Sequence, residues 1–287
     1  MATRGTQALT IRAMDLDALH LAIDWAAEEG WNPGLFDAQS FYRADPQGFL
    51  MAYLGDEPIA SISAVKYPEG FGFIGFYIVK PKHRGKGYGL ALWQAGMAYL
   101  NDCNIGLDGV VEQQANYQKS GFALAYANIR FQGQAPLKAP DADTEIKPIS
   151  AFNQAEVLAY DKACFGSSRE GFLSAWLAQE KSLALGILHQ GTLAGFGVVR
   201  PCRHGYKIGP LFADGAVQAE QLLLALVDTL PAGSEFFWDV PEVNPEGVSL
   251  AAKYKMDKVF ETARMYTREK PPIALDRVFG VTSFELG

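Results

Sequence analysis

The chain has 287 residues, 49% of them hydrophobic and 20% charged, with a net charge of −7 and a pI near 5.2. That composition is globular and too long for one ordinary domain, so it predicts two cores; the acidic balance disfavours nucleic acid or an anionic membrane as the main partner. Three cysteines, Cys103, Cys164 and Cys202, are odd in number and lack CxxC spacing, which speaks against a disulfide framework or a zinc ribbon and for a reducing cytoplasm.

The N-terminal residues, interrupted by Arg4, Arg12 and Asp15, lack the continuous apolar core of a leader, and no run approaches the roughly 18 apolar residues of a membrane span. "TIRAMD" from Thr10 opens as a strand, and the first helices flank "GWNPG", Trp31 to Gly34. "GDEPIASISAV" from Gly55 is a polar turn followed by alternating small and apolar residues, a hairpin signature. "FGFIGFYIV", Phe71 to Val79, is apolar at odd and even positions alike, as a central strand buried on both faces is. "YGLALWQAGMAYLND" from Tyr88 then has helical spacing, with Leu92, Gly96 and Tyr99 on one side.

The pattern recurs. "HQGTLAGFGVV" from His189 repeats the hairpin, Leu193 matching Ile59 at an offset of 134 (193 minus 59), and "IGPLFA" from Ile208 repeats "IGFYIV" from Ile74 at the same offset. "EIKPIS" from Glu145 repeats "TIRAMD" at 135 (145 minus 10). An offset of domain size predicts two similar domains in tandem, residues 1–135 and 143–270, joined by the linker "GQAPLKAPDADTE", Gly133 to Glu145. The end, "LDRVFGVTSFELG", is too apolar and β-prone to be disordered, so residues 271–287 are expected to dock, as a strand or as a cover over the seam between domains.

Between the central strand and its helix lies "VKPKHRGKGYG", Val79 to Gly89. A strand end, a glycine-rich turn and a helix start leave unpaired N–H groups at the positive end of a helix dipole, an anion site made of main chain. Gly85, Gly87 and Gly89 have no side chain to hold a phosphate away, and Arg84 and Lys86 add charge. The P-loop pattern fails because Lys86 is followed by Gly87, and the dinucleotide pattern fails because the glycines alternate. Arg84-x-x-Gly87-x-Gly89 after such a strand resembles the acyl-CoA pyrophosphate loop of the GNAT family of N-acetyltransferases. "YQKSGF" resembles the end of that family's last helix, with Tyr117 four residues before Gly121-Phe122. The resemblance covers residues 10–131 and departs at Asp108-Gly109-Val110, where the family often has Asn.

This resemblance implies an α/β fold of two tandem GNAT-like domains, each a mixed, mostly antiparallel central sheet flanked by helices. It implies acetyl-CoA as cofactor, with the pantetheine arm on the backbone of Ile78 and Val79. The pyrophosphate is expected on Arg84, Gly85, Lys86, Gly87, Tyr88 and Gly89, and Tyr117 at the thioester sulfur as general acid. The second half resembles the GNAT-like C-terminal domain of tandem relatives but has Ala213-Asp214-Gly215-Ala216 in place of the glycine loop. An aspartate there repels a pyrophosphate, which leaves one cofactor site. HExxH and GxSxG are absent from the sequence, so metal and serine hydrolase chemistry lack support.

The base is less legible. Many relatives carry a glutamate on the central strand, whereas Phe71 to Val79 contains no carboxylate. Glu28 and Glu112 are the expected catalytic carboxylates; Glu28 and Glu29 read otherwise as a solvated helix end. Trp31, Asn32 and Asp108 are expected to line the acceptor pocket, Trp31 reading otherwise as packing. Asp239 aligns with Asp108 and reads as structural or as acceptor-lining, and Cys164 reads as a buried thiol. The implied activity is acetyl transfer from acetyl-CoA to an amine of a small molecule or peptide, by a monomer or homodimer. The alternatives are a non-catalytic acyl-CoA sensor and a scaffold protein on the same fold.

Overall fold

The elements form where the sequence punctuates them. In a computed structural model that describes residues 8–137 and 145–287, β1 (Leu9–Ala13) leads to α1 (Leu16–Glu28), whose first turn is capped by Asp15 accepting from the Ala18 N–H at 2.9 Å. After α2 (Asp37–Ala44) the expected hairpin forms, β2 (Phe49–Leu54) and β3 (Glu57–Tyr67), turning at Gly55-Asp56. Then come β4 (Phe71–Val79), α3 (Tyr88–Tyr99), β5 (Asn104–Val110), α4 (Gln114–Lys119) and β6 (Ala123–Gln134). The second half repeats the order: β7 (Ile146–Pro148), α5 (Gln154–Phe165), α6 (Glu170–Leu177), β8 (Leu183–His189), β9 (Thr192–Pro201), β10 (Tyr206–Ala213), α7 (Ala216–Asp228), β11 (Glu235–Pro241), α8 (Pro245–Lys253) and β12 (Asp257–Tyr266). A short strand, β13 (Val278–Gly280), lies in the tail. Residues 1–7, read for a leader, and residues 138–144 of the expected linker lie outside the described residues; Gly133 and Gln134 close β6 instead.

The strands join in one sheet ordered β1-β2-β3-β4-β5-β12-β6-β11-β10-β9-β8-β7. The halves exchange their last strands: β12 of the second half lies antiparallel between β5 and β6, and β6 of the first lies antiparallel between β12 and β11. The expectation of two separate cores is corrected accordingly. One apolar cluster packs α3 on the first half of the sheet and one packs α7 and α8 on the second; a third is shared, drawing α1, α2, α5 and α6 together. In the shared core Phe41 of α2 stacks on Trp176 of α6 with centroids 5.8 Å apart, and Phe172 stacks on the same indole at 5.2 Å.

Buried ion pairs hold the exchanged strands in register. Arg264 on β12 donates to both oxygens of Asp108 on β5 at 2.8 and 2.6 Å, and Arg130 on β6 donates to both oxygens of Asp239 on β11 at 2.7 and 2.8 Å. The two arginines are themselves 134 positions apart (264 minus 130). Burial works against both guanidinium charges, and the facing carboxylates outweigh it and hold both arginines more firmly protonated than usual. The reading of Asp239 as structural matches this geometry.

The tail does not stop at the seam. β10 pairs with β11 only from Tyr206 to Ile208; beyond that, Leu211 and Phe212 pair with Gly280 and Val278 of β13, while the Val281 N–H donates to the Asp239 carbonyl at 2.9 Å. The tail therefore fills the gap that opens between β10 and β11, and residues 278–287 are buried throughout.

Replacing one arginine isolates a buried charge. Arg264→Met is expected to lower unfolding free energy by about 3–5 kcal/mol in urea titrations, whereas Asp108→Leu combined with Arg264→Met recovers most of the loss.

Candidate active site

One backbone irregularity opens the first half of the sheet. β4 runs parallel to β5 from Phe71 to Ile74, opposite Asn104 to Leu107, and then leaves it. At that point Phe76 takes a left-handed φ of 45°, the register with β3 slips between Ser61 and Ser63, and the Ser61 hydroxyl donates to the Phe76 carbonyl at 2.9 Å. The slip changes parity: Phe71 and Phe73 face the shared core before it, and Phe76 and Ile78 after it. Among the described residues, the β5-facing edge of Gly75 to Val79 has no strand partner. It borders a cavity of about 580 Å³, whose opposite wall is Leu107 to Val110.

The glycine turn closes part of this cavity. Gly85 and Gly87 adopt left-handed φ values of 73° and 84° with open space before them, and Gly87 caps α3. Gly89 is needed for another reason: a Cβ there would lie 2.7 Å from the Tyr77 hydroxyl and 2.9 Å from Val79 Cγ2. His83, buried in the cavity wall, leaves Nδ1 without a partner among the described residues. An unpaired strand edge, free N–H groups at the start of a 12-residue helix and an orphaned imidazole nitrogen fit an acyl-CoA arm and its pyrophosphate.

Several expected residues stand elsewhere. Lys86 donates to the Lys82 carbonyl at 2.7 Å and Tyr88 packs on His83 with ring centroids 6.1 Å apart; neither lines the cavity. Arg84 does, but its Nε donates to the Val79 carbonyl at 2.8 Å and its guanidinium is paired with Glu29. Glu28 is exposed at the end of α1, and it is its neighbour Glu29 that borders the cavity. Glu112 sits in an exposed turn, and Gln113 lines the wall in its place. Asn32 is turned away: it donates to the His204 carbonyl at 2.9 Å and accepts the His204 N–H at 2.8 Å, stitching the halves together. Asp108 borders the cavity with both oxygens taken by Arg264 and one also by Asn128 at 2.7 Å, so it has little left for an acceptor.

Ile78, Val79, Trp31 and Tyr117 do meet at the cavity. A Cβ on Gly109 would collide with the Tyr117 ring, which also packs on Trp93 at 5.7 Å, so its position is set by β5 and α3. Burial, with Tyr77 adding a little, pushes its hydroxyl pKa up to about 12. The Trp31 carbonyl accepts from Arg130 and from Lys207, both at 3.1 Å, and burial, then Arg130, lowers the Lys207 pKa to about 8.

The remaining wall was not read from the sequence. Arg130, Phe260, Thr262, Phe284 and Glu285 reach the cavity from β6, β12 and the tail. The offset of 134 that links Ile74 to Ile208 also links Arg130 to Arg264, and that is the signal that could have flagged the exchanged strands. In the second half the corresponding gap holds the tail, and Asp214 accepts from the Tyr160 hydroxyl at 2.8 Å and faces Arg277 at 3.4 Å.

Residues 16–122 match the family described as Acetyltransferase (GNAT) family, and residues 157–280 match a second description, Acetyltransferase (GNAT) domain. Holothin acyltransferase from a Pseudoalteromonas species is 31% identical over 283 residues, covering 98% of this chain and 95% of that protein. A putative acetyltransferase of Pyrococcus horikoshii superposes with a TM-score of 0.82 at 23% identity, covering 100% of this chain and 99% of that one. A tandem GNAT protein from the clavulanic acid biosynthesis pathway superposes at 0.65 with 13% identity, covering 92% of this chain and all (100%) of that one. Both solved structures share the fold.

Calorimetric titration of coenzyme A is expected to give one site per chain, since the second gap is filled; two equal sites would contradict this. Gly87→Val forces a β-branched residue into a left-handed backbone. It is expected to weaken that binding at least about tenfold with an unchanged circular dichroism spectrum.

Proposed function

The chain belongs to the GNAT family of acyltransferases, carrying two GNAT domains in tandem, and from that premise we propose that it transfers an acetyl group from acetyl-CoA to an amine. The observation that carries this reading is the unpaired edge of Gly75 to Val79 beside the glycine turn, with Tyr117 on the same cavity. On this reading residues 1–135 hold the cofactor site, and residues 143–270 form a domain whose own site is closed by residues 271–287.

Bound acetyl-CoA supplies an electrophilic thioester carbon and a thiolate leaving group. The backbone of Ile78 and Val79 aligns the arm as a neighbouring strand would, and the N–H groups from Gly87 onward face its pyrophosphate. Arg84 contributes less than an unpaired arginine, because Glu29 and the Val79 carbonyl already hold it. Free N–H groups on the opened edge polarise the carbonyl, and holding the two reactants together supplies much of the rate. With its pKa near 12, the Tyr117 phenol stays protonated through neutral pH and can give its proton to the thiolate.

The relative's name, holothin acyltransferase, supports a small-molecule acceptor. So does the cavity, in which Trp31, Phe76, Phe260 and Phe284 offer flat apolar walls.

Thiol release from acetyl-CoA across a panel of amines tests the reading. Release with none of them, while coenzyme A still binds, would leave a sensor. Tyr117→Phe is expected to bind acetyl-CoA as the parent does and to turn over at least about tenfold more slowly. The deficit should be smaller for a donor with a more acidic thiol. Parental rates with both donors would mean that the ring only packs.

A further inference from the structure

Among the described residues, three carboxylates border the cavity: Glu29, Asp108 and Glu285. Glu29 is paired with Arg84, and Asp108 is consumed by Arg264 and Asn128. Glu285 is 4% exposed, and among the described residues no side chain or N–H donates to its carboxylate within hydrogen-bond distance. Its backbone crosses β4 at Gly75, where a Cβ would collide with the Glu285 carbonyl, and Ser63 donates to that carbonyl at 3.4 Å. The tail therefore places a carboxylate against the opened part of the strand that has none of its own.

The neighbours of Glu285 on the cavity wall suit an organic cation. Thr262 is 2% exposed, lines the same wall and leaves its hydroxyl without a partner among the described residues. Phe260 and Phe284 stand with centroids 6.3 Å apart, each already facing the Arg130 guanidinium on one side at 5.7 and 4.8 Å, and Trp31 borders the same space. The positive groups whose fields reach Glu285 are Arg130 and Lys207. Arg130 is neutralised by Asp239, and Lys207 loses its proton more readily than an ordinary lysine.

Resting on the acetyl-transfer reading, we propose that Glu285 is the catalytic base, and that with Thr262 and the aromatic walls it selects a primary ammonium borne on a flat apolar body. Glu285 takes the proton whose loss makes the amine nucleophilic and passes it to solvent. The nitrogen lone pair forms the C–N bond as the C–S bond breaks, and Tyr117 protonates the thiolate. The second N–H proton, shed as the C–N bond forms, returns through water to the Tyr117 phenolate. One proton is released per turnover, so the balance closes.

The test uses the full chain near pH 7.5 and three probes sharing one benzyl group: benzylamine (cationic), O-benzylhydroxylamine (neutral) and benzyl alcohol. With coenzyme A present, calorimetry is expected to show benzylammonium binding to the parent and at least about tenfold more weakly to Glu285→Gln, with benzyl alcohol unaffected. In thiol release, Glu285→Gln is expected to lower kcat/KM for benzylamine by at least about thirtyfold and for O-benzylhydroxylamine by less than about threefold, with acetyl-CoA affinity unchanged. Equal losses for both nucleophiles, parental rates for both, or no benzylammonium binding by the parent would each overturn the assignment. If the cation binds through Glu285 but no amine releases thiol, the site stands and the transfer reading fails. Should Glu285→Gln not fold, Glu285→Asp keeps the charge one methylene short, and the same selective loss for benzylamine is expected. A loss common to both nucleophiles, or none for either, again overturns it.

Discussion

The exchange of β6 and β12 is the constraint on which the rest of the molecule depends. Each half lacks its own last strand and receives the other's, so neither sheet is complete alone, and the arginine each strand carries finds its aspartate in the opposite half. A buried guanidinium without its carboxylate costs several kcal/mol, so each pair holds its exchanged strand in register against a slip along the sheet. Because β12 runs beside β5, Phe260 and Thr262 reach a cavity whose floor is β4; because β6 follows, Arg130 does too. The second half thus contributes to a site it does not contain.

The same opening of the sheet has two outcomes. In both halves the central strand parts from its parallel neighbour within an Ile-Gly pair, Ile74-Gly75 and Ile208-Gly209. In the second half β13 occupies the gap and hydrogen bonds to β10; in the first, the gap borders the cavity. Both glycines make room for the tail. A Cβ on Gly209 would lie 2.6 Å from the Val281 carbonyl and 2.7 Å from that of Thr282, and one on Gly75 would strike the Glu285 backbone. The repeated glycine therefore records one chain segment crossing two related strands.

What the sequence made legible was local. The apolar run of Phe71 to Val79, the alternating glycines and Tyr117 before Gly121-Phe122 each depend on neighbours a few residues away, and each stands in the structure where its pattern placed it. The turn's glycines take the backbone positions that their spacing suggested, whereas the set of its side chains is decided by their partners: Arg84 is held by Glu29 and Lys86 by the Lys82 carbonyl. Glu28 and Glu29 differ by one helical step, about 100° of rotation, and only packing distinguishes them. Asn32 and Asp108 had the chemistry of acceptor ligands but are spent on His204 and Arg264, residues 172 and 156 positions away. Glu285 was illegible for the same reason in reverse. Nothing near it in sequence tells that its backbone lies across Gly75.

The tail's position follows from how it is held. Arg169, wholly buried and paired with Asp161, donates to the Thr282 hydroxyl at 2.7 Å and to the Gly287 carbonyl at 3.1 Å, and the Tyr67 hydroxyl donates to the Leu286 carbonyl at 3.0 Å. These anchors belong to both halves and flank Glu285 on either side, so its backbone is fixed by groups that never meet the cavity. Glu285 is thus positioned through its backbone while its carboxylate borders the cavity, whereas the carboxylates of Glu29 and Asp108 are engaged with Arg84 and Arg264, and releasing either would loosen the walls of the cavity.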